Sequence, residues 1–381
     1  RNESALRGGK GPEEEDTTPD LIRAAGFGCE SHSVRTEDGF WLVLFRIVPP
    51  NGHDGDGVSR KRPVLFMHGL MLSSDSFLAT GARSLPIVLA RAGHDVWLGN
   101  NRGNRYSHKH DRLSPDCDAY WDYCLDELAR FDVPALVHYV LRMASTTEAF
   151  TKLTYCGFSN GTAQDFAALA LHPGLSERVG CFIALSPAVA VNSIQESLVK
   201  SLIASRLHMI YLLFGRKKML GITATAQRLL SPEFFAWSMD KAVRFLFGWR
   251  MEHISQAEKA RVYRHTYSYS SVKQVVHWFQ MIQSGSPGLK MWDANVTPSR
   301  LSHRKPPLYD TRRIRTENCK IYCWVGTKDT LVDTEGLVDV LPKGTIVTHV
   351  EGLTHLEIMW ADGLDTGVFR EVEARISEAF E

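Results

Sequence analysis

Tyr155-Cys156-Gly157-Phe158-Ser159-Asn160-Gly161-Thr162 is the stretch on which the reading of this chain turns. It contains the pattern Gly-x-Ser-x-Gly. The apolar run Leu153–Cys156 before it has strand length, and Thr162–Leu171 after it reads as a helix. A serine between two such elements sits in a tight strand-to-helix turn, in backbone geometry that most residues avoid. Glycine on either side lets neighbouring backbone pass close by. The helix N-terminus behind the turn favours negative charge. The bare pattern is short and arises readily by chance, so its flanking strand and helix carry the argument. A Gly-rich turn holding an ordinary serine would need neither.

Working outward, short apolar runs of strand length recur at Val64–Met67, Asp95–Leu98, Cys181–Leu185, Ile321–Val325 and Thr345–Val350. Helical stretches lie between most of them: Arg83–Ala92, Pro134–Ala144 and, at the end, Gly367–Phe380. Continuous apolar strands alternating with helices predict a mostly parallel sheet with helices on both faces. Ser31–Arg35 and Trp41–Ile47, joined at Asp38-Gly39, predict an antiparallel hairpin at one edge. The alternation stops between Ala188 and Pro307, a stretch helical in composition and rich in aromatic residues. It is expected to be a helical cap inserted before the last strands. The domain reading is therefore a disordered segment 1–18, core 19–187, cap 188–307 and core 308–381.

Three loops complete the chemistry that a serine nucleophile needs. Phe66-Met67-His68-Gly69-Leu70 ends an earlier strand. The backbone N–H of Leu70, with that of Asn160 after the serine, is expected to form an oxyanion hole. His68 reads as a structural residue holding this loop. Asp329, in Gly326-Thr327-Lys328-Asp329, follows the strand Ile321–Val325. A carboxylate there can accept Nδ1–H from a catalytic imidazole. Asp333 is a rival four residues on, farther from the strand end. His355, in Glu351-Gly352-Leu353-Thr354-His355, follows the last strand. His349 inside that strand reads as structural and His172, before Pro173, as a helix cap. The order Ser159, Asp329, His355 is that of the α/β-hydrolase fold.

Composition narrows the remaining classes. The chain has 381 residues, 44% hydrophobic and 23% charged, with a formal net charge of +1. This gives no reason to expect nucleic acid as a partner. Seven cysteines without a repeating spacing argue against a disulfide framework and weakly favour a reducing compartment. Cys156, Cys181 and Cys323 read as small core residues. Asn2 and Asn295 each open a glycosylation sequon, so a secretory route stays open. No metal or cofactor motif is present, and His108-Lys109-His110 reads as a solvated loop. No uninterrupted apolar run reaches the roughly 18 residues that a bilayer span requires. Ser201–Leu220 mixes Leu, Ile, Met and Phe with Arg206, Arg216, Lys217 and Lys218. That suits a helix on a lipid surface, or one packed on the core.

Several stretches resemble the acid lipase family, which includes the gastric and lysosomal lipases. They are Ala25-Gly26-Phe27, Val34-Arg35-Thr36-Glu37-Asp38-Gly39-Phe40, Asp95-Val96-Trp97-Leu98-Gly99-Asn100-Asn101-Arg102-Gly103-Asn104, Tyr120-Trp121-Asp122-Tyr123, Asp126-Glu127-Leu128-Ala129 and Asp132-Val133-Pro134-Ala135. The resemblance runs from about residue 20 to the C-terminus. Gly157–Gln164, Leu246-Phe247-Gly248-Trp249 and Ser271–Gln280 are most similar to the fungal steryl ester hydrolases. The resemblance implies hydrolysis of steryl esters, with triacylglycerols as an alternative, and no metal cofactor. It also implies intracellular residence on a membrane or lipid droplet, with an anchor upstream of this chain. The animal lipases have His and Gln on either side of the serine, where this chain has Phe158 and Asn160. An esterase of small soluble molecules would share the triad. A non-catalytic binding protein on this fold would show a decayed triad, whereas all three positions here are intact.

Overall fold

The computed structural model describes residues 16–50, 61–144, 150–191, 207–219, 230–285, 287–294 and 306–381. The apolar runs become strands: β1 Gly28–Arg35, β2 Phe40–Val48, β3 Lys61–Met67, β4 His94–Gly99, β5 Lys109–His110, β6 Leu153–Phe158, β7 Val179–Leu185, β8 Lys320–Gly326 and β9 Ile346–Val350. They form one sheet in the order β1-β2-β4-β3-β6-β7-β8-β9, with β5 added beside β2. From β4 to β9 every pairing is parallel. The hairpin β1–β2 and its contacts to β4 and β5 are antiparallel.

The inner strands β4, β6, β7 and β8 are buried almost throughout because both faces are covered, whereas β1 and β9 at the sheet edges are partly exposed. On one face Leu65, Met67, Leu153, Tyr155, Phe182 and Ala184 pack under the helices Val133–Ala144 and Asn160–Leu171. On the other, Val64, Phe66, Cys156, Phe158, Ile183 and Leu185 meet the helices Leu85–Arg91 and Val368–Glu378. Successive side chains of a strand point to opposite faces, so each strand feeds both cores.

Between β7 and β8 the described residues form four α-helices, Leu207–Phe214, Pro232–Phe247, Gln256–Arg264 and Val272–Gln283. The second and third are joined through Asp240, which accepts from Lys259 Nζ and Tyr263 OH, each at 3.1 Å. Of the stretch expected to lie on lipid or core, Ile210 is buried against Val272 and Val276, while Leu212 and Leu213 are 72% and 64% exposed. That helix packs on the core through Ile210 and leaves Leu212 and Leu213 exposed, while residues 201–206 and 220 of the stretch lie outside the described residues.

Two expectations are corrected. Residues 1–15 lie outside the described residues, but the end of the segment read as disordered is structured. Thr18 begins the helix Thr18–Ala24, and its buried hydroxyl bonds Ser74 and Asp75. Asp20 accepts both the backbone N–H and the hydroxyl of Thr17, which fixes the helix start. His110 is no solvated loop residue either. Its Nε2 donates to Asp38 O and its Nδ1 accepts the N–H groups of Arg112 and Leu113, so it staples the hairpin turn. Asn2, Asn295 and most of the loop 51–61 fall outside the described residues. All seven cysteines are unpaired, and Cys156, Cys181 and Cys323 are buried.

Candidate active site

The turn after β6 has the strain that the sequence pattern implies. Ser159 has φ 51° and ψ −116°, and the helix begins at Asn160. A Cβ on Gly161 would lie 2.1 Å from Met67 O, and one on Gly157 would lie 2.7 Å from the Gly161 carbonyl carbon. Only glycine lets β3 and the helix pass so close to the serine.

Three strand ends then converge. Ser159 Oγ lies 2.8 Å from His355 Nε2, and His355 Nδ1 lies 2.7 Å from Asp329 Oδ2. The other oxygen of Asp329 accepts the N–H groups of Leu331 and Val332 at 2.9 and 3.2 Å. His355 is anchored by its own carbonyl, which accepts from Ser186 Oγ at 3.0 Å. All three side chains are buried. Asp333 plays a different part, accepting the Gly336 N–H in a turn.

The Leu70 and Asn160 N–H groups have no acceptor among the described residues. The first N–H groups of a helix lack intrahelical partners, which leaves the Asn160 donor available. The loop carrying Leu70 is held by His68. Its Nδ1 donates to Gly69 O at 2.8 Å, and its Nε2 accepts from Asn101 N–H and Asn104 Nδ2 at 3.1 and 3.2 Å. Burial pushes the His68 pKa down to about 4, so the ring is neutral and can both donate and accept. Asn100 Oδ1 extends this network to Ser74 N–H and Asn104 Nδ2. The stretch Asp95–Asn104, met in the sequence only as a signature, is therefore the scaffold of the Leu70 loop.

The helices between β7 and β8 reach the same place. Asn160 Oδ1 accepts from Gln274 Nε2 at 3.1 Å and from Trp278 Nε1 at 3.0 Å. Trp249 stacks on the His355 ring, with centroids 5.4 Å apart and planes 14° apart. Sequence reasoning assigned these residues no role. Their signal was their place in stretches similar to one group of enzymes, and contacts across 106 to 118 positions leave no local trace.

One further group was missed. Cys124, Asp126 and His277 bring ligand-type atoms within 4.8 Å of one another. These groups already have structural tasks: Asp126 accepts from Trp292 N–H and Tyr309 OH, and His277 Nε2 donates to Lys290 O. The set lies on elements other than those that carry the triad. A second buried oddity is Asp165, one turn into the helix behind Ser159. Neither of its oxygens has a partner among the described residues, and burial raises its pKa well above the usual carboxylate value.

Comparison with known proteins fits this geometry. Residues 62–343 match the family model of the alpha/beta hydrolase fold, and residues 18–81 match that of a partial alpha/beta-hydrolase lipase region. A probable lipase of Schizosaccharomyces pombe is 37% identical over 92% of this chain and 77% of its own length. The gastric triacylglycerol lipase of Rattus norvegicus is 30% identical over 96% of this chain and 93% of its own. This chain belongs to the acid lipase branch of the α/β-hydrolases. Its class is that of the lipases and esterases of this superfamily. The fold also matches a soluble variant of monoglyceride lipase from Saccharomyces cerevisiae, with TM-score 0.56 and 15% identity over 97% of this chain and 99% of that one. No helix among the described residues is long and apolar enough to cross a membrane.

Proposed function

We propose that Ser159, His355 and Asp329 form the catalytic triad of an esterase for lipid substrates, with steryl esters preferred. The observation that carries the triad is the chain of two hydrogen bonds, 2.8 and 2.7 Å, from serine through imidazole to carboxylate. His355 Nε2 takes the Ser159 proton as Oγ attacks the ester carbonyl. The oxyanion lies against the Leu70 and Asn160 N–H groups, where each donor is worth roughly a hundred- to a thousand-fold in rate. The oxyanion collapses back to a carbonyl, the single bond from that carbon to the alcohol oxygen breaks, and the alcohol leaves with the proton from His355, which leaves the acyl group on Ser159. Water, deprotonated by the same imidazole, then releases the fatty acid and restores Ser159.

The substrate reading rests on what surrounds the triad. Residues 188–307 are read as a cap over it, and the stretches similar to fungal steryl ester hydrolases hold Asn160, Trp249, Gln274 and Trp278, which meet at the site. Phe214, Phe234, Trp237 and Phe245 are exposed on helices of the same region, with Arg216 and Lys217 nearby in sequence. Such a surface suits residence on a membrane or lipid droplet, where an apolar ester is met. A steryl ester needs no metal to be cleaved this way.

The test is hydrolysis of emulsified cholesteryl oleate, trioleoylglycerol and a short soluble ester by wild type and by Ser159→Ala. The steryl ester should be cut fastest by wild type, and the variant should be inactive on all three. Faster cleavage of trioleoylglycerol would make the protein a triacylglycerol lipase. Full activity of Ser159→Ala would remove the triad.

A further inference from the structure

We propose that Trp249 is a positioning residue for the catalytic imidazole, a role that rests on the triad reading above. Two hydrogen bonds hold His355, one at each ring nitrogen. They fix a line through the ring and leave it able to tilt about that line. A flat partner on the ring face removes the tilt. Trp249 is that partner, nearly parallel to the imidazole at 14° and buried. The indole cannot easily turn away. Its Nε1–H donates to Thr330 Oγ1 at 2.8 Å, next to Asp329, and the Thr330 hydroxyl donates to Phe247 O at 2.9 Å. The Phe247 ring stacks on the Trp249 ring, with centroids 4.5 Å apart and planes 18° apart.

The consequence is chemical as well as steric. Acylation turns His355 into an imidazolium, and the face of an indole attracts a cation. The attraction exists only once the proton has moved, so it acts in the transition state and not on bound substrate. An interaction of that kind changes kcat and leaves KM alone. Phe158 also lies against the ring, at 5.3 Å and 52°, but its tilt gives no flat stack. Trp249 comes from the segment between β7 and β8, whereas the triad comes from the sheet. The segment thus contributes to the chemistry through the imidazole.

The experiment is steady-state hydrolysis of p-nitrophenyl butyrate by wild type, Trp249→Phe, Trp249→Leu, Thr330→Val and Ser159→Ala, with folding checked by thermal melting. Trp249→Leu is expected to lower kcat about ten-fold with KM within about two-fold, since cation–ring attraction has that range. Trp249→Phe keeps a ring face and should recover kcat to within about three-fold of wild type. Thr330→Val frees the indole and should lower kcat at unchanged KM, which keeps the test decisive where Trp249→Leu does not fold. A rise in KM alone would make Trp249 a wall of the substrate pocket and overturn the proposal. So would a folded Trp249→Phe as impaired as Trp249→Leu, or a folded Thr330→Val with wild-type kcat. With Ser159→Ala inactive, such results sink the positioning role and leave the triad. An active Ser159→Ala sinks both.

Discussion

The indole N–H of Trp278 donates to Oδ1 of Asn160 at 3.0 Å. Asn160 is the residue after Ser159, and its backbone N–H is a proposed oxyanion donor. Gln274 donates to the same oxygen from one turn earlier on the same helix. The side chain is thereby braced from outside the sheet, and the backbone donor is braced with it. Trp278→Phe should cost about 1 kcal/mol of stability, the worth of one buried hydrogen bond, and Gln274→Leu about 2 kcal/mol, because Gln274 Oε1 also accepts from Ser270 Oγ at 2.7 Å. The double variant should lose about ten-fold in kcat, less than deleting a donor outright. Steady-state kinetics on a soluble ester, beside urea titration, separates the two effects. A double variant with wild-type kcat would mean that Asn160 needs no brace.

His68 should make stability depend on pH. Burial lowers its folded-state pKa to about 4, below the ordinary histidine value of 6.5. Between those values the unfolded chain binds a proton that the folded chain does not, so stability rises with pH through this window. Going from pH 7 to pH 4 should lose on the order of 3 kcal/mol from this residue. Urea midpoints at pH 7, 6 and 5 should fall in wild type and fall less in His68→Gln. Parallel slopes in the two proteins would assign the loss to other groups.

How much of this was legible follows from chemistry that leaves a local mark. Ser159 announces itself because the turn needs Gly157 and Gly161 within two residues. Asp329 follows the mainly apolar strand β8, and His355 follows the short last strand β9, so their place at the sheet edge can be counted along the chain. The parallel sheet is legible for the same reason. What the sequence hides is contact between distant polar groups. His68 meets Asn101 and Asn104 across more than 30 positions, and Trp249 meets His355 across more than 100. His110 looks solvated because its neighbours are charged, yet three backbone groups bind its ring. Thr18 looks disordered by the company of residues 1–15, yet it bonds Ser74 and Asp75 more than 50 positions away.

Asp165 should act on stability with the opposite sign to His68. Its carboxyl is buried with no partner among the described residues, and burial raises its pKa well above 3.8. Above that value the unfolded chain has released a proton that the folded chain retains. Stability therefore falls as pH rises, until the folded-state pKa is reached. Asp165→Leu removes both the unpartnered polar group and this loss. It should stabilise the protein by about 1–3 kcal/mol, the usual cost of an unsatisfied buried group. The gain should be larger at pH 8 than at pH 5, read from thermal or urea midpoints. A loss of stability at both pH values would show that the carboxyl has a partner in solution.

Arg102 tests whether the hairpin turn and the Leu70 loop are held as one unit. Its guanidinium bonds Asp132 at 2.6 and 3.0 Å and Asp38 at 2.6 and 3.0 Å, and it lies 4.2 Å over the Phe40 ring. Burial opposes its charge, but the two carboxylates overcome burial and raise its pKa. Asp38 is in the turn between β1 and β2, and Asp132 enters the helix that covers the sheet, so one side chain ties three elements. Arg102→Met removes the cation and leaves two carboxylates, one of them fully buried. The cost should be about 3–5 kcal/mol. Arg102→Lys should recover little of it, because an ammonium cannot form the paired bonds to both acids. Adding Asp132→Asn and Asp38→Asn to Arg102→Met should restore part of the stability, since the penalty is unpaired charge and not lost packing. If the triple variant is no more stable than Arg102→Met, the stacking on Phe40 is what the arginine contributes.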